Sequence, residues 1–122
     1  MATLENNATL YHLAVRAEWE RAQAAGEYWR STIEKSLEEE GFIHFSFAHQ
    51  VQGSADRFYR GRDDIVLLVI DPGRLESEVR VEGEKEQFPH LYGPLPVAAV
   101  IATHDVPIDR EGRLLTNGLG GL

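Results

Sequence analysis

Cysteine is absent from the chain. That excludes a disulfide framework and every form of thiolate chemistry, and it suits a reducing cytoplasm. Long apolar runs are missing too. No stretch approaches the roughly 20 residues that a membrane-spanning helix needs. Met1 to Asn7 has neither the basic start nor the apolar stretch of a signal peptide. The expectation is a soluble cytoplasmic protein with no membrane partner. Basic residues are the third scarcity: 12 Lys and Arg stand against 20 Asp and Glu, a net charge of −8. Polyanions are bound by clustered cations, so a broad nucleic-acid surface is excluded. Arg57, Arg60 and Arg62 form the only basic cluster, which suffices for a local anion site at most.

What is present is enough for one core. Of 122 residues, 43% are hydrophobic, the content of an ordinary globular domain. No repeat or linker divides the chain, so a single domain is expected, with its core at about 9–115 and a mobile tail at 116–122. The most informative stretch is Gly41-Phe42-Ile43-His44-Phe45-Ser46. Its alternation predicts a strand with Ile43 and Phe45 on the buried face, and Phe42, His44 and Ser46 on the other. A strand has no need of an imidazole and a hydroxyl there for its own sake. A ligand pocket with this strand as its floor does.

The remaining elements follow in order. Thr9 to Ala14 predicts a strand with Leu10, His12 and Ala14 on one face. A helix follows, with Val15, Trp19 and Ala22 as its apolar stripe and Gly26 as its stop. Tyr28 and Trp29 are too large to be left in solvent. Ser31 and Glu34 read as a capping box that opens a short helix carrying Ile33 and Leu37 inward and ending at Gly41. Ser46 reads as the cap of a third helix, with Gln50, Val51, Ala55, Phe58 and Tyr59 at helical spacing and Gly61 at its end. Asp64 to Asp71 is a β-branched run that predicts a central strand buried on both faces, and Asp71-Pro72-Gly73 turns the chain. Glu78 to Glu82 predicts a half-exposed strand. Val97 to Thr103 predicts a buried one, and Asp105 to Leu115, with Pro107 and Gly112, a last hairpin or an extended tail. Strands and helices in this order predict an α+β fold.

Three of the five histidines, His12, His44 and His90, sit on separate elements beside Tyr, Phe or Ser, which points to one shared pocket. His49 and His104 look peripheral. Three imidazoles are also a zinc ligand set with an open position, but no His-Glu-x-x-His helix is present, and His44 and His49 are spaced wrongly for one helical face. The reading is therefore no metal. A Ser46 nucleophile lacks the Gly-x-Ser-x-Gly elbow, and no Gly-x-Gly-x-x-Gly follows a strand, so a Rossmann site is excluded.

Tyr11-His12-Leu13-Ala14, Glu18-Trp19 with Ala22, Gly41 to Ser46 with Gln50, and Phe88-Pro89-His90-Leu91-Tyr92-Gly93-Pro94-Leu95 together resemble a bacterial family catalogued as domain of unknown function 952. The resemblance runs from about Leu10 to Ile101. That family in turn resembles the ADP-ribosyltransferase fold, most of all its RNA 2′-phosphotransferase group, through Tyr11-His12 and His44-Phe45-Ser46. The resemblance implies a single domain with a split, mixed or antiparallel sheet and N-terminal helices, whose cleft binds NAD or another ADP-ribose-containing nucleotide and transfers or hydrolyses ADP-ribose. It implies His44 and His90 as catalytic residues. It implies His12, at the nicotinamide-side ribose, together with Ser46, Tyr59 and Tyr92 as cofactor-binding residues, and a small-molecule nucleotide as partner. Two features depart from the pattern. No carboxylate lies within Phe88 to Leu95, with Glu82 and Glu84 reading as exposed, and no arginine neighbours His44. Two other readings of the same residues are a nucleotide-sensing module without chemistry and a His-dependent metallohydrolase.

Overall fold

The structure, a computed structural model, describes residues 9–32 and 35–114. At its centre is β4 (Ile65–Ile70), the predicted β-branched run, paired antiparallel with β1 (Leu10–Val15) on one side and with β8 (Val100–Asp105) on the other. Alternation along β4 divides its side chains between two cores. Val66, Leu68 and Ile70 join Leu10, Trp19, Ile43 and Phe45, while Ile65 and Leu67 join Leu13, Val51, Tyr59 and Val106. Each fully buried aliphatic side chain contributes about 1.5–3 kcal/mol, so a strand buried on both faces is the structural axis of the domain.

A second antiparallel sheet has the order β3 (Ile43–His44), β6 (Phe88–Leu91), β5 (Val79–Glu82). The two sheets meet at one bridge. Tyr11 N–H donates to the Ser46 carbonyl at 2.9 Å, and Ser46 N–H donates to the Tyr11 carbonyl at 2.8 Å. A short pair, β2 (Glu27–Tyr28) with β7 (Leu95–Pro96), forms a separate two-stranded sheet. The chain is thus a single α+β domain built on antiparallel sheets with few helices.

Helix α1 (Arg16–Ala25) buries Trp19 and Ala22 and stops at Gly26, whose φ of 92° lies in the left-handed region. Helix α2 (Leu37–Glu40) is one turn long. Its capping box is Ser36 with Glu39, not Ser31 with Glu34; Ile33 and Glu34 lie outside the described residues. The Ser31 hydroxyl instead accepts the His44 N–H at 3.2 Å. Helix α3 (Val51–Phe58) follows a 3₁₀ turn at Ala48–Gln50. Ser46 does not cap it: the Gln50 side chain closes the turn by accepting Phe47 N–H at 3.0 Å, and the helix ends at Phe58, before Gly61.

Two further expectations are corrected. The last strand starts at Val100 and is an exposed edge, with Ile101 54% exposed, because nothing among the described residues pairs beyond β8. Trp29 is 44% exposed, while Tyr28 is buried. Segment 105–114 does fold back, through an Ile108–Leu114 bridge that buries both residues. The tail at 116–122 lies outside the described residues. Among the described residues, no helix is long and apolar enough to cross a membrane.

Candidate functional site

The register of the smaller sheet assembles the site. Ile43 faces Leu91 and His44 faces His90 across β3 and β6, while Arg80 faces His90 and Glu82 faces Phe88 across β5 and β6. Side chains alternate across a sheet, so Ile43, Pro89, Leu91 and Val81 point into the protein and are buried. Phe42, His44, Phe88, His90 and Glu82 lie on the opposite face and floor an open cleft of about 1350 Å³. One wall is α3, with Phe58 and Arg57. Ser31, Thr32, Lys35 and Glu40 line the cleft as well, and so does the Gly83–Glu86 loop. Gln50 pins that loop, donating to Glu86 Oε2 at 3.0 Å and to the Gln87 carbonyl at 2.7 Å.

The two imidazoles have ring centroids 5.3 Å apart. His90 is stacked under Phe42 at 3.9 Å, with the rings 15° from parallel. Its Nδ1 donates to Glu82 Oε1 at 3.1 Å, and the Tyr92 hydroxyl donates to the same carboxylate oxygen. These two donors, Tyr92 first, hold the Glu82 carboxyl below the usual carboxylate range, and the carboxylate in turn holds the Tyr92 hydroxyl up. Glu82 is therefore not the idle surface carboxylate its sequence neighbourhood suggests. It enters the site from β5, diagonal to His90. His44 sits among Phe88 (4.7 Å), Phe58 (5.9 Å) and His90, and its Nε2 is shut off from water with no hydrogen-bond partner. Burial, then the nearby His90, His12 and Arg57, pushes its pKa down to about 3.

His12 is the main correction. It lies behind the floor, 3% exposed, with both ring nitrogens committed. Nδ1 donates to the His44 carbonyl at 2.8 Å, and Nε2 accepts from the Tyr28 hydroxyl at 3.0 Å. Burial lowers the His12 pKa to about 4 and raises that of Tyr28 well above its ordinary value. This neutral pair braces β3 from the core and leaves no free ring nitrogen for a ribose. Nor could His12 serve as a third metal ligand. Ser46 is also buried, its Oγ 2.9 Å from Ser54 Oγ, and the Tyr59 hydroxyl donates to the Leu13 carbonyl at 3.1 Å. Neither lines the cleft, and Tyr92 acts through Glu82. Of the six expected site residues, His44 and His90 line the cleft. Phe42 joins them, as the alternation of its strand predicts, whereas Glu82, Phe58, Phe88 and Arg57 were not expected there. Alternation along β5 and β6 carried the signal for Glu82 and Phe88.

Within the matched family model, residues 13–103 span the whole floor: Phe42, His44, Glu82, Phe88 and His90. The model is that of a protein of unknown function, DUF952. The chain belongs to this family. It is also similar to solved structures of protein CC0527 from Caulobacter crescentus. The crystal structure has a TM-score of 0.77 at 32% identity, covering 89% of this chain and 95% of that one. The solution structure has a TM-score of 0.71 at 32% identity, covering 89% and 93%. No curated protein matches the chain. The family match thus extends over both sheets, and the expected span of about 10–101 is close to the one found.

Proposed function

We propose that the cleft binds NAD or another ADP-ribose-containing nucleotide, and that its floor acts on the ribose linkage. The observation that carries this reading is an ionised Glu82, held by His90 and Tyr92, on a floor of aromatic rings beside two imidazoles. Phe42, Phe58 and Phe88 suit a planar base. Arg60 is matched by Asp56 at 2.7 Å, whereas Arg57 and Lys85 line the cleft without an ion pair among the described residues, as a pyrophosphate requires. When the glycosidic carbon–nitrogen bond breaks, its electron pair leaves with the base. The ribosyl cation that remains is stabilised by a nearby carboxylate, as in glycoside cleavage. Glu82 has that role here, and the acceptor or water then adds to the sugar. His12 supports the floor from behind and touches no ligand.

Calorimetric titration with NAD and with ADP-ribose, followed by an assay for released nicotinamide, tests the reading. Saturable binding of both is expected, with nicotinamide release slowed on the order of 100-fold in Glu82→Gln. Binding without release would make the domain a nucleotide-sensing module. Absence of binding to either nucleotide would reject the reading.

A further inference from the structure

We infer that the cleft floor presents two hydrogen-bond acceptors, His44 Nδ1 and His90 Nε2, and that they receive the vicinal hydroxyls of one ribose. The inference rests on the nucleotide reading above and adds which part of the nucleotide the floor holds, and by which atoms.

The tautomers follow from the surroundings. Nε2 of His44 is excluded from water and has no partner, among rings that include Phe58 and Phe88. Nδ1 also lacks a protein partner among the described residues, but it is not excluded from water. A neutral imidazole carries one proton. Among aromatic rings an N–H finds a weak acceptor in their π electrons, whereas a lone pair finds no donor. The proton therefore resides on Nε2, and the lone pair of Nδ1 is the one open to the cleft. The pKa near 3 keeps His44 in this neutral form at ordinary pH. His90 has the opposite arrangement. Its Nδ1–H is committed to Glu82 at 3.1 Å, so in the neutral ring Nε2 carries the lone pair.

The register places the two rings that carry these acceptors side by side, with centroids 5.3 Å apart. A carboxylate or phosphate would meet only lone pairs at this spot. An ammonium group would bring donors, but Arg57 lies close enough to disfavour a second cation. A cis-diol brings two uncharged donors on adjacent carbons, next to the Glu82 carboxylate that the bond-breaking step requires.

The test uses NAD and its four monodeoxy analogues, each lacking one hydroxyl of one ribose. The expected result is that the two analogues altered on the same ribose bind ~10-fold more weakly or worse, while the other two match NAD. In His44→Phe, which keeps the aromatic box and removes the acceptor, one of the two weak analogues should show no further loss relative to NAD. Equal binding of all four analogues overturns the diol and leaves the nucleotide reading standing, as does a loss divided between the two riboses. Failure of both NAD and ADP-ribose to bind overturns both. If His44→Phe does not fold, the wild-type series decides alone.

Discussion

Neighbouring residues of one short strand have opposite duties. Ile43 is fully buried in the core shared by both sheets, and its loss to Ala removes packing and leaves a void, at a cost of about 2–5 kcal/mol. His44 faces the cleft, and its Nε2 is kept dry without a partner, which costs about 1–3 kcal/mol. His44→Ala should therefore cost ~1 kcal/mol or less. Denaturant midpoints for the two variants check this, and equal losses would make His44 a core residue. Buried imidazoles also give the protein an acid-sensitive stability. His12 and His44 hold their pKa values near 4 and near 3, against 6.5 for a free imidazole. Above pH ~6.5 neither the folded nor the unfolded state protonates them, and stability is intact. As pH falls below that value, the unfolded chain binds protons that the folded one refuses, so stability declines toward pH 4. For fully buried His12 the decline amounts to roughly 3 kcal/mol. Unfolding at pH 5 should take up about two protons for these groups, measurable from the buffer dependence of the unfolding enthalpy. A midpoint that does not change from pH 7 to pH 5 would contradict the burial of both rings.

Elements with a strong local signature were legible before folding. The β-branched run of β4, Trp19 and Ala22 on the buried face of α1, and the glycine stops at Gly26 and Gly41 all lie where periodicity and turn chemistry put them, while Val15, expected on that helix, ends β1. Features set by partners distant in sequence were not. Ser31 and Ser36 are equally good caps by composition, and Ser31 is diverted because its hydroxyl meets the His44 N–H of the next element. His12 shows a strand histidine beside a tyrosine, which suits a pocket as well as a core. Only the packing of Tyr28 against it decides for the core. Glu82 looks exposed along its own strand, and the pairing with β6 brings it to His90. The two glycines at Gly41 and Gly112 test how much such distant contacts add. Both have φ near 90° (91° and 85°), but a Cβ on Gly41 would meet nothing within 4 Å, whereas one on Gly112 would lie 2.8 Å from Asp56 Cα. Gly41→Ala should cost about 1 kcal/mol from backbone strain alone. Gly112→Ala should cost clearly more, because α3 must move. Equal denaturant midpoints for the two variants would show that segment 105–114 does not pack on α3.

For the molecule as a whole, two three-stranded antiparallel sheets meet at a single bridge, and the outer face of the second floors the open cleft. The negative net charge of −8 does not prevent an anionic ligand here, because the charges are locally matched. Arg62 is paired with Asp64 at 2.6 Å and Arg60 with Asp56, so Arg57 is left facing the cleft. Composition set the expectation of no broad polyanion surface, but it could not show which arginine stays available. The cleft itself was legible in outline, since the alternation from Phe42 to Ser46 put His44 on an open face, and the Phe88 to Leu95 motif supplied His90. Its depth, its carboxylate and its dry imidazole nitrogen come from the register between strands, which no single stretch contains. The central claim is that this floor holds the ribose end of a nucleotide, and a crystal structure grown with ADP-ribose tests it most directly. The account predicts density in the cleft, with a ribose against His44 and His90, the pyrophosphate toward Arg57 and Lys85, and His12 still bonded to Tyr28. An empty cleft at saturating ADP-ribose, or density on another face of the domain, would contradict it.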